Sequence, residues 1–334
     1  MRVLGVAIAA MMLWSAAART AEPLDIRIAW AAVPGQLPAV LYQNHSILKH
    51  YGQSYTVDAV YNRGSGTQIT ALAAGELQVV LYAPSALALT IENAHMDDIR
   101  IIGDATRDGY DDYFSRQYMV RADSPIHGIE DLKGKVLAIN SITGAMDMAL
   151  RAALRQHGME DKRDVRIVEI DFPHMFAELT SGKVDLGSFT TPWSFEAKKS
   201  GQTRTLFTMK DLVGEQDITI MAARAPFIAQ NRAALVDFFE DSQRAMRWFY
   251  DPANRDAVLN IISTFTKQPK SLYADWLFTK RDDYRDPDLR PNLDAVQRDI
   301  DREADMGFLK SRFDVGKYAD LSLVDEAAKR LAAH

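Results

Sequence analysis

Cysteine is absent from all 334 residues. That excludes a disulfide framework, a thiolate metal site and a thiol nucleophile. It also removes the residue a bacterial lipoprotein needs directly after its signal peptide. Basic charge is in short supply: 39 Lys and Arg stand against 45 Asp and Glu, for a formal net charge of −6. With no basic stripe anywhere, nucleic acid is excluded as a partner. No apolar run approaches the roughly 20 residues a membrane-spanning helix needs.

Catalytic and cofactor motifs are missing as well. Gly64-Ser65-Gly66 lacks the outer glycines of a G-x-S-x-G nucleophile elbow. Ile69 stands where a dinucleotide-binding G-x-G-x-x-G would need its third glycine, and no P-loop occurs. The seven histidines show no H-x-H or H-x-x-x-H spacing, which leaves a zinc site without support. Asp104, Asp108, Asp111 and Asp112 lack the ligand spacing and terminal Glu of a calcium loop. The sequence therefore gives no catalytic residue, no metal site and no cofactor; Tyr110, Tyr113 and Phe114 make the 104–115 stretch a candidate flap. At the N-terminus, Arg2, the apolar run Val3–Trp14 and the small residues Ala16-Ala17-Ala18 read as a signal peptide over 1–18. The expectation is a soluble protein exported to a periplasm and not lipid-anchored.

What is present is a motif that occurs twice. Leu72-Ala73-Ala74-Gly75-Glu76-Leu77-Gln78 leads through an apolar run to Tyr82-Ala83-Pro84-Ser85. Leu179-Thr180-Ser181-Gly182-Lys183-Val184-Asp185 leads likewise to Thr190-Thr191-Pro192-Trp193. Each copy reads as a helix closed by glycine, a short buried strand, and a proline opening the next helix. Strands and helices alternate on either side: strands at 26–30, 55–61, 79–82 and 99–102, with a helix over 37–48, then strands at 136–139, 165–170 and 184–186. The pattern predicts an α/β protein with mostly parallel sheets. Two segments, 117–126 and 218–228, echo each other and read as crossings between lobes. The predicted organisation is a first lobe of 25–118 plus 225–334 and a second lobe of 119–224. The charged stretch 280–288 reads as a solvated loop.

In open parallel sheets, ligands bind beyond the C-terminal strand ends. Those positions carry Trp30, Tyr61 and Tyr82 in the first lobe, then Asn140-Ser141, Asp171-Phe172 and Phe189 to Trp193 in the second. Gly64-Ser65-Gly66-Thr67 and Ser141-Ile142-Thr143-Gly144 each precede a helix. Their small residues and hydroxyls suit an anion at a helix N-terminus. Arg63 offers a charge-assisted contact, and His174 a hydrogen bond. The candidate ligand-binding set is Trp30, Tyr61, Arg63, Gly64, Ser65, Gly66, Thr67, Tyr82, Ala83, Ser85, Ser141, Thr143, Gly144, Phe172, His174, Phe189, Thr190, Thr191 and Trp193.

Ala122-Asp123-Ser124-Pro125-Ile126, followed by Asp131-Leu132-Lys133-Gly134-Lys135 and Val136-Leu137-Ala138-Ile139-Asn140, resembles the hinge and second-lobe opening of periplasmic solute-binding proteins of ABC importers. The similar branch is the nitrate-, sulfonate- and taurine-binding group, which includes thiamine-pyrimidine binders. Both repeat copies are similar to that group's A-L-x-x-G-x-x-D pattern, although Gln78 replaces its Asp in the first. The resemblance implies a two-lobed type II periplasmic-binding-protein fold with its ligand in the interlobe cleft, delivering to an inner-membrane permease as a monomer. It also implies ligand positions at Trp30, Gly64 to Thr67, Tyr82 to Ser85, Ser141 to Gly144 and Phe189 to Trp193. Pyrimidine-synthesising relatives of the fold rely on a cysteine-rich motif, from which this chain departs. The aromatic strand ends favour a small organic anion, an aromatic carboxylate or sulfonate. The alternatives are an alkyl sulfonate such as taurine, nitrate, a pyrimidine, or a solute presented to a membrane sensor.

Overall fold

The computed structural model describes residues 22–333, so the signal-peptide expectation lies outside the described residues. Among the described residues, ten strands form three hydrogen-bonded groups. Strands β1 (Leu24–Trp30) and β2 (Tyr55–Tyr61) pair in parallel. Strand β3 (Val80–Tyr82) joins them through a parallel bridge between Ile28 and Val79. It also pairs antiparallel with β10 (Gln216–Arg224), which pairs in turn with β4 (Ile99–Asp108). The second unit runs β7-β6-β8-β5-β9, formed by β5 (Gln117–Arg121), β6 (Val136–Ile139), β7 (Arg166–Glu169), β8 (Leu186–Phe189) and β9 (Thr203–Thr208). Strands β6, β7 and β8 are parallel, while β5 runs antiparallel to β8 and β9.

The two units therefore share one strand order. In each, the strand inserted antiparallel next to the third comes from the far side of the crossover: β10 in the first unit, β5 in the second. This corrects the expected boundary. Strand β10 was expected to close the second lobe, yet its ladder partners are β3 and β4, so residues 216–224 belong to the first unit. The chain passes between units in the segments before β5 and β10, not within those strands.

The helices are α1 (Pro38–Leu41), α2 (Ser65–Ala73), α3 (Pro84–Glu92), α4 (Ala145–Gln156), α5 (Phe172–Thr180), α6 (Trp193–Lys199), α7 (Met209–Val213), α8 (Ala225–Tyr250), α9 (Arg255–Thr266), α10 (Leu293–Asp305) and α11 (Ser322–Ala332). The expected 37–48 helix shrinks to α1 and a 3₁₀ turn at His45–Ile47. The repeat glycines end α2 and α5 in the same way. Gly75 and Gly182 adopt φ of +74° and +77°. The N–H groups around them bond back to Leu72 and Ala71, and to Leu179 and Glu178. This is the left-handed closure that a side chain disfavours.

Core packing separates the units. Ile26, Ile28, Phe238, Phe239, Met246 and Phe249 lie in the largest apolar cluster, where α8 covers the first unit's sheet. Leu137, Ile139, Leu150 and Leu186 belong to a cluster in the second.

The charged 280–288 stretch is solvated only at its ends, at Lys280, Arg281 and Pro287, while Asp282, Asp283 and Arg285 in its middle are buried. Arg285 is fully buried and places all five N–H donors: two on Asp282, and one each on the carbonyls of Pro34, Gly35 and Asp283. A charge run can enter the interior when it carries its own counter-charges and meets backbone acceptors. The 104–115 stretch is not a flap either. Strand β4 continues to Asp108, while Tyr110 and Tyr113 pack on Tyr284.

Candidate functional site

Between the units lie two joined chambers, sharing Ala31, Asn140 and Phe172 in their linings. The inner one has a volume of about 70 Å³ and the outer about 490 Å³, both open to solvent. Each is built from C-terminal strand ends and the helix starts that follow, as parallel topology dictates.

The inner chamber carries hydroxyl, amide and guanidinium groups among small apolar residues and lies where α2 and α4 point their N-termini at each other. Gly64 and Ser65 stand on one side, with Ser141, Gly144, Ala145 and Met146 on the other. Among the described residues, no protein acceptor takes the N–H groups of Ser65, Gly66, Ala145 or Met146. First-turn N–H groups lack intrahelical partners, and the helix dipole adds positive potential. The units touch closely here: a Cβ on Gly64 would lie 2.5 Å from both Cβ and Oγ of Ser141. Glycine at 64 is therefore a condition of this approach.

Polar side chains fix the walls. Ser65 Oγ accepts from the N–H of Ala83 at 3.1 Å. Gln68 spans Leu81, donating to its carbonyl and accepting from its N–H, both at 2.8 Å. Gln36 accepts from Ala31 and Ala32. Among the described residues, Arg116 is the one cation that lines the chamber. It pairs with Asp108 at 3.2 Å and with Asp283 at 3.1 Å. Burial pushes the Asp108 carboxyl up, opposed chiefly by Arg116. Since Arg116 is balanced by two carboxylates, the donors left without a protein acceptor among the described residues include the helix-start backbone N–H groups and the side chains of Asn140, Thr190 and Thr219.

The outer chamber is aromatic. Trp30 packs edge-on to Tyr61 and tilted against Phe265, ring centroids 5.0 Å apart in each pair. Phe172 and Trp193 stack at 5.3 Å. Thus one wall rises from the first unit and one from the second, with Tyr273, Asp171, Glu196 and Arg63 completing the lining.

Of the sequence-derived candidates, Gly64, Ser65, Tyr82, Ala83, Ser141, Gly144, Phe172 and Thr190 line the inner chamber. Trp30, Tyr61, Arg63, Phe172 and Trp193 line the outer. Arg63 does not present a free cation: it reaches across to Asp171 at 2.9 Å and Glu169 at 3.4 Å, joining the units. The Tyr82 ring is fully buried in the first unit's second apolar cluster, beside the chamber wall.

Seven candidates line neither chamber. Gly66 and Thr67 sit further into α2. Ser85 Oγ donates to the Thr143 carbonyl at 2.7 Å, tying the units together behind the chamber. Thr191 Oγ1 donates to Asp283 at 2.9 Å. Phe189 is wholly buried in the core with Met119 and Met175, because its place on β8 points it into the sheet's packed face. His174 is exposed, since Phe172 and Met175 take the inward positions of α5. Thr143 belongs with Ser85 as an interlobe contact.

The sequence reading missed Gln36, Gln68, Arg116, Thr219, Glu196, Phe265 and Tyr273. Arg116 carried a usable signal, since it directly precedes crossing strand β5. Phe265 and Tyr273 come from the helical region after residue 229, where periodicity does not say which apolar residue faces a cleft.

Similar proteins bear on this geometry. The nitrate/nitrite binding protein NrtA of Synechococcus elongatus is 29% identical over 147 residues, 42% of this chain. The chain covers about a third of that relative's length. Among solved structures, the periplasmic nitrate-binding protein NrtA from Synechocystis PCC 6803 superposes with a TM-score of 0.74 at 16% identity, covering 94% of this chain and 90% of that one. The alkanesulfonate-binding protein SsuA from Xanthomonas axonopodis pv. citri, bound to MOPS, gives 0.68 at 17%, over 90% and 99%. The desulfurization enzyme DSZB also shares the fold, with 0.63 at 17%, over 92% and 99%. These likenesses show the two-domain α/β periplasmic-binding-protein fold expected from sequence. The NMT1-like family model matches residues 19–263, well over half of the sequence, and the chain belongs to that family.

Proposed function

We propose that the protein is the periplasmic solute-binding component of an ABC importer, capturing a small organic anion and presenting it to an inner-membrane permease. The aromatic carboxylates and sulfonates are its substrate class. The observation that carries this reading is the division of the cleft. A chamber with unpartnered helix N-terminal N–H groups suits a carboxylate or sulfonate head. An aromatic chamber joined to it suits a flat apolar tail. A bare inorganic anion would leave the outer walls unused. The names of the NrtA and SsuA relatives support anion capture in general.

An enzymatic role on the same scaffold has less support. No cysteine, histidine or lysine lines either chamber among the described residues, so the lining serines and carboxylates have no histidine or lysine base among them. Closure of the units would desolvate the ligand and create the surface a permease reads.

Thermal unfolding of the signal-less protein, stripped of carried-over ligand, tests the reading against aromatic acids, sulfonates, nitrate and pyrimidines. A ligand confined to the folded state adds about 2.7 kcal/mol at 100-fold over its dissociation constant. A selective upward shift with aromatic carboxylates or sulfonates is the expected result. A shift with nitrate alone, or with pyrimidines alone, overturns it.

A further inference from the structure

The outer chamber is acidic as well as aromatic. Its lining holds the carboxylates Asp171 and Glu196 against the single guanidinium of Arg63. Arg63 is already committed to Asp171 and, just outside the lining, to Glu169. Three carboxylates thus face one cation. Glu196 stands one turn into α6 from Trp193 and makes no ion pair among the described residues. The field of Asp171 reaches the aromatic wall: Tyr61 is held above its usual range, first by burial and next by Asp171. Ring faces add to this sign, since an aromatic quadrupole is negative over its face.

A ligand spanning both chambers therefore meets opposite potentials at its two ends. Donor N–H groups surround the head, while carboxylates and ring faces surround the tail. We propose that the outer chamber is a charge-selecting subsite, in which Glu196 and Asp171 make the protein favour a cationic tail over a neutral one and reject a second anionic group. The preferred ligand is then a zwitterion, such as an acid bearing a tertiary or quaternary ammonium at its far end. Such a group gains from ring faces as well as from the carboxylates, without a strong hydration shell to lose. This rests on reading the inner chamber as the seat of the acidic head.

A matched series tests it by titration calorimetry at low salt: 4-(trimethylammonio)benzoate, benzoate and terephthalate, which share a head and differ in tail charge. Half-exposed charges a few ångströms apart separate successive members by about tenfold. The expected order is zwitterion, then benzoate, then terephthalate. Both steps should shrink at least threefold in Glu196→Gln, an exposed position whose substitution leaves folding intact. They should shrink further when Asp171→Asn is added. Equal affinities across the series, or terephthalate as the tightest member, overturn the proposal while leaving organic-anion capture standing. If no member binds, the reading of the inner chamber fails, and phenyltrimethylammonium alone decides for the outer one. Quenching of tryptophan fluorescence that is lost in Glu196→Gln then upholds the subsite. No quenching, or quenching unchanged in the variant, overturns it.

Discussion

Gly64→Ala is the sharpest perturbation the structure offers. The added Cβ would sit 2.5 Å from two side-chain atoms of Ser141 on the opposite unit, with the next nearest atom, on Asn140, at 3.9 Å. Nothing within the first unit obstructs it, and the backbone at 64 is extended (φ 173°), so alanine is conformationally allowed. The penalty therefore falls on the closed arrangement alone. Overpacking of this kind costs about 1–3 kcal/mol. Charged to closure, that weakens ligand affinity about 5- to 150-fold. Calorimetry with the tightest ligand of the thermal panel measures it, and ligand-free unfolding provides the control. The ligand-free midpoint should hold within about a degree, because the units can separate and relieve the clash. Ser141→Gly removes both offending atoms, so the double variant should return to the affinity of Ser141→Gly alone. Normal affinity in Gly64→Ala, or a ligand-free midpoint that falls as far as affinity does, refutes the claim that this contact belongs to closure.

Three further outcomes follow from the same geometry. Arg63→Gln removes the bridge to Glu169 and Asp171; for a half-exposed pair this is worth about 0.2–1 kcal/mol, so affinity should fall less than about fivefold, with the difference vanishing in high salt. Arg116→Met strands the buried Asp108 and Asp283 and should cost about 3–5 kcal/mol in denaturant unfolding, far more than Arg63→Gln. Burial pushes Asp299 up to about 7, above the roughly 3.9 of an unfolded chain. The folded state thus keeps a proton that the unfolded chain has released; this contribution is full below about pH 4 and lost as pH rises through 7. Asp299→Asn should flatten that part of the stability profile, read by urea melts between pH 4 and 8.

The repeat was the most legible part of the sequence. Glycine and proline act on local backbone geometry, so Gly75, Gly182 and Pro84 marked helix ends and starts without tertiary information. The strand-end rule then located Trp30, Tyr61, Gly64, Ser141 and Trp193 at the cleft, because parallel topology leaves few other places for a site. Side-chain direction was less accessible. Phe189 and Thr190 are neighbours, yet the two-residue strand period turns the first into the core and the second toward the chamber. Asp282, Asp283 and Arg285 read as surface because like patterns usually are; their burial depends on the carbonyls of Pro34 and Gly35, some 250 residues away. The strand exchange was visible as an echo between 117–126 and 218–228, but pairing partners are long-range, so the expected boundary fell after β10 instead of before it.

The division of labour between the chambers is tested most directly by comparing methanesulfonate with benzenesulfonate, in the native protein and in Trp193→Ala. Burying a phenyl ring in the outer chamber is worth about 1.5–3 kcal/mol, ten- to a hundredfold in affinity. The native protein should show that gap, and Trp193→Ala should lose most of it while holding methanesulfonate as before. A native protein that binds methanesulfonate as tightly as benzenesulfonate, or a variant that loses both equally, would contradict the account.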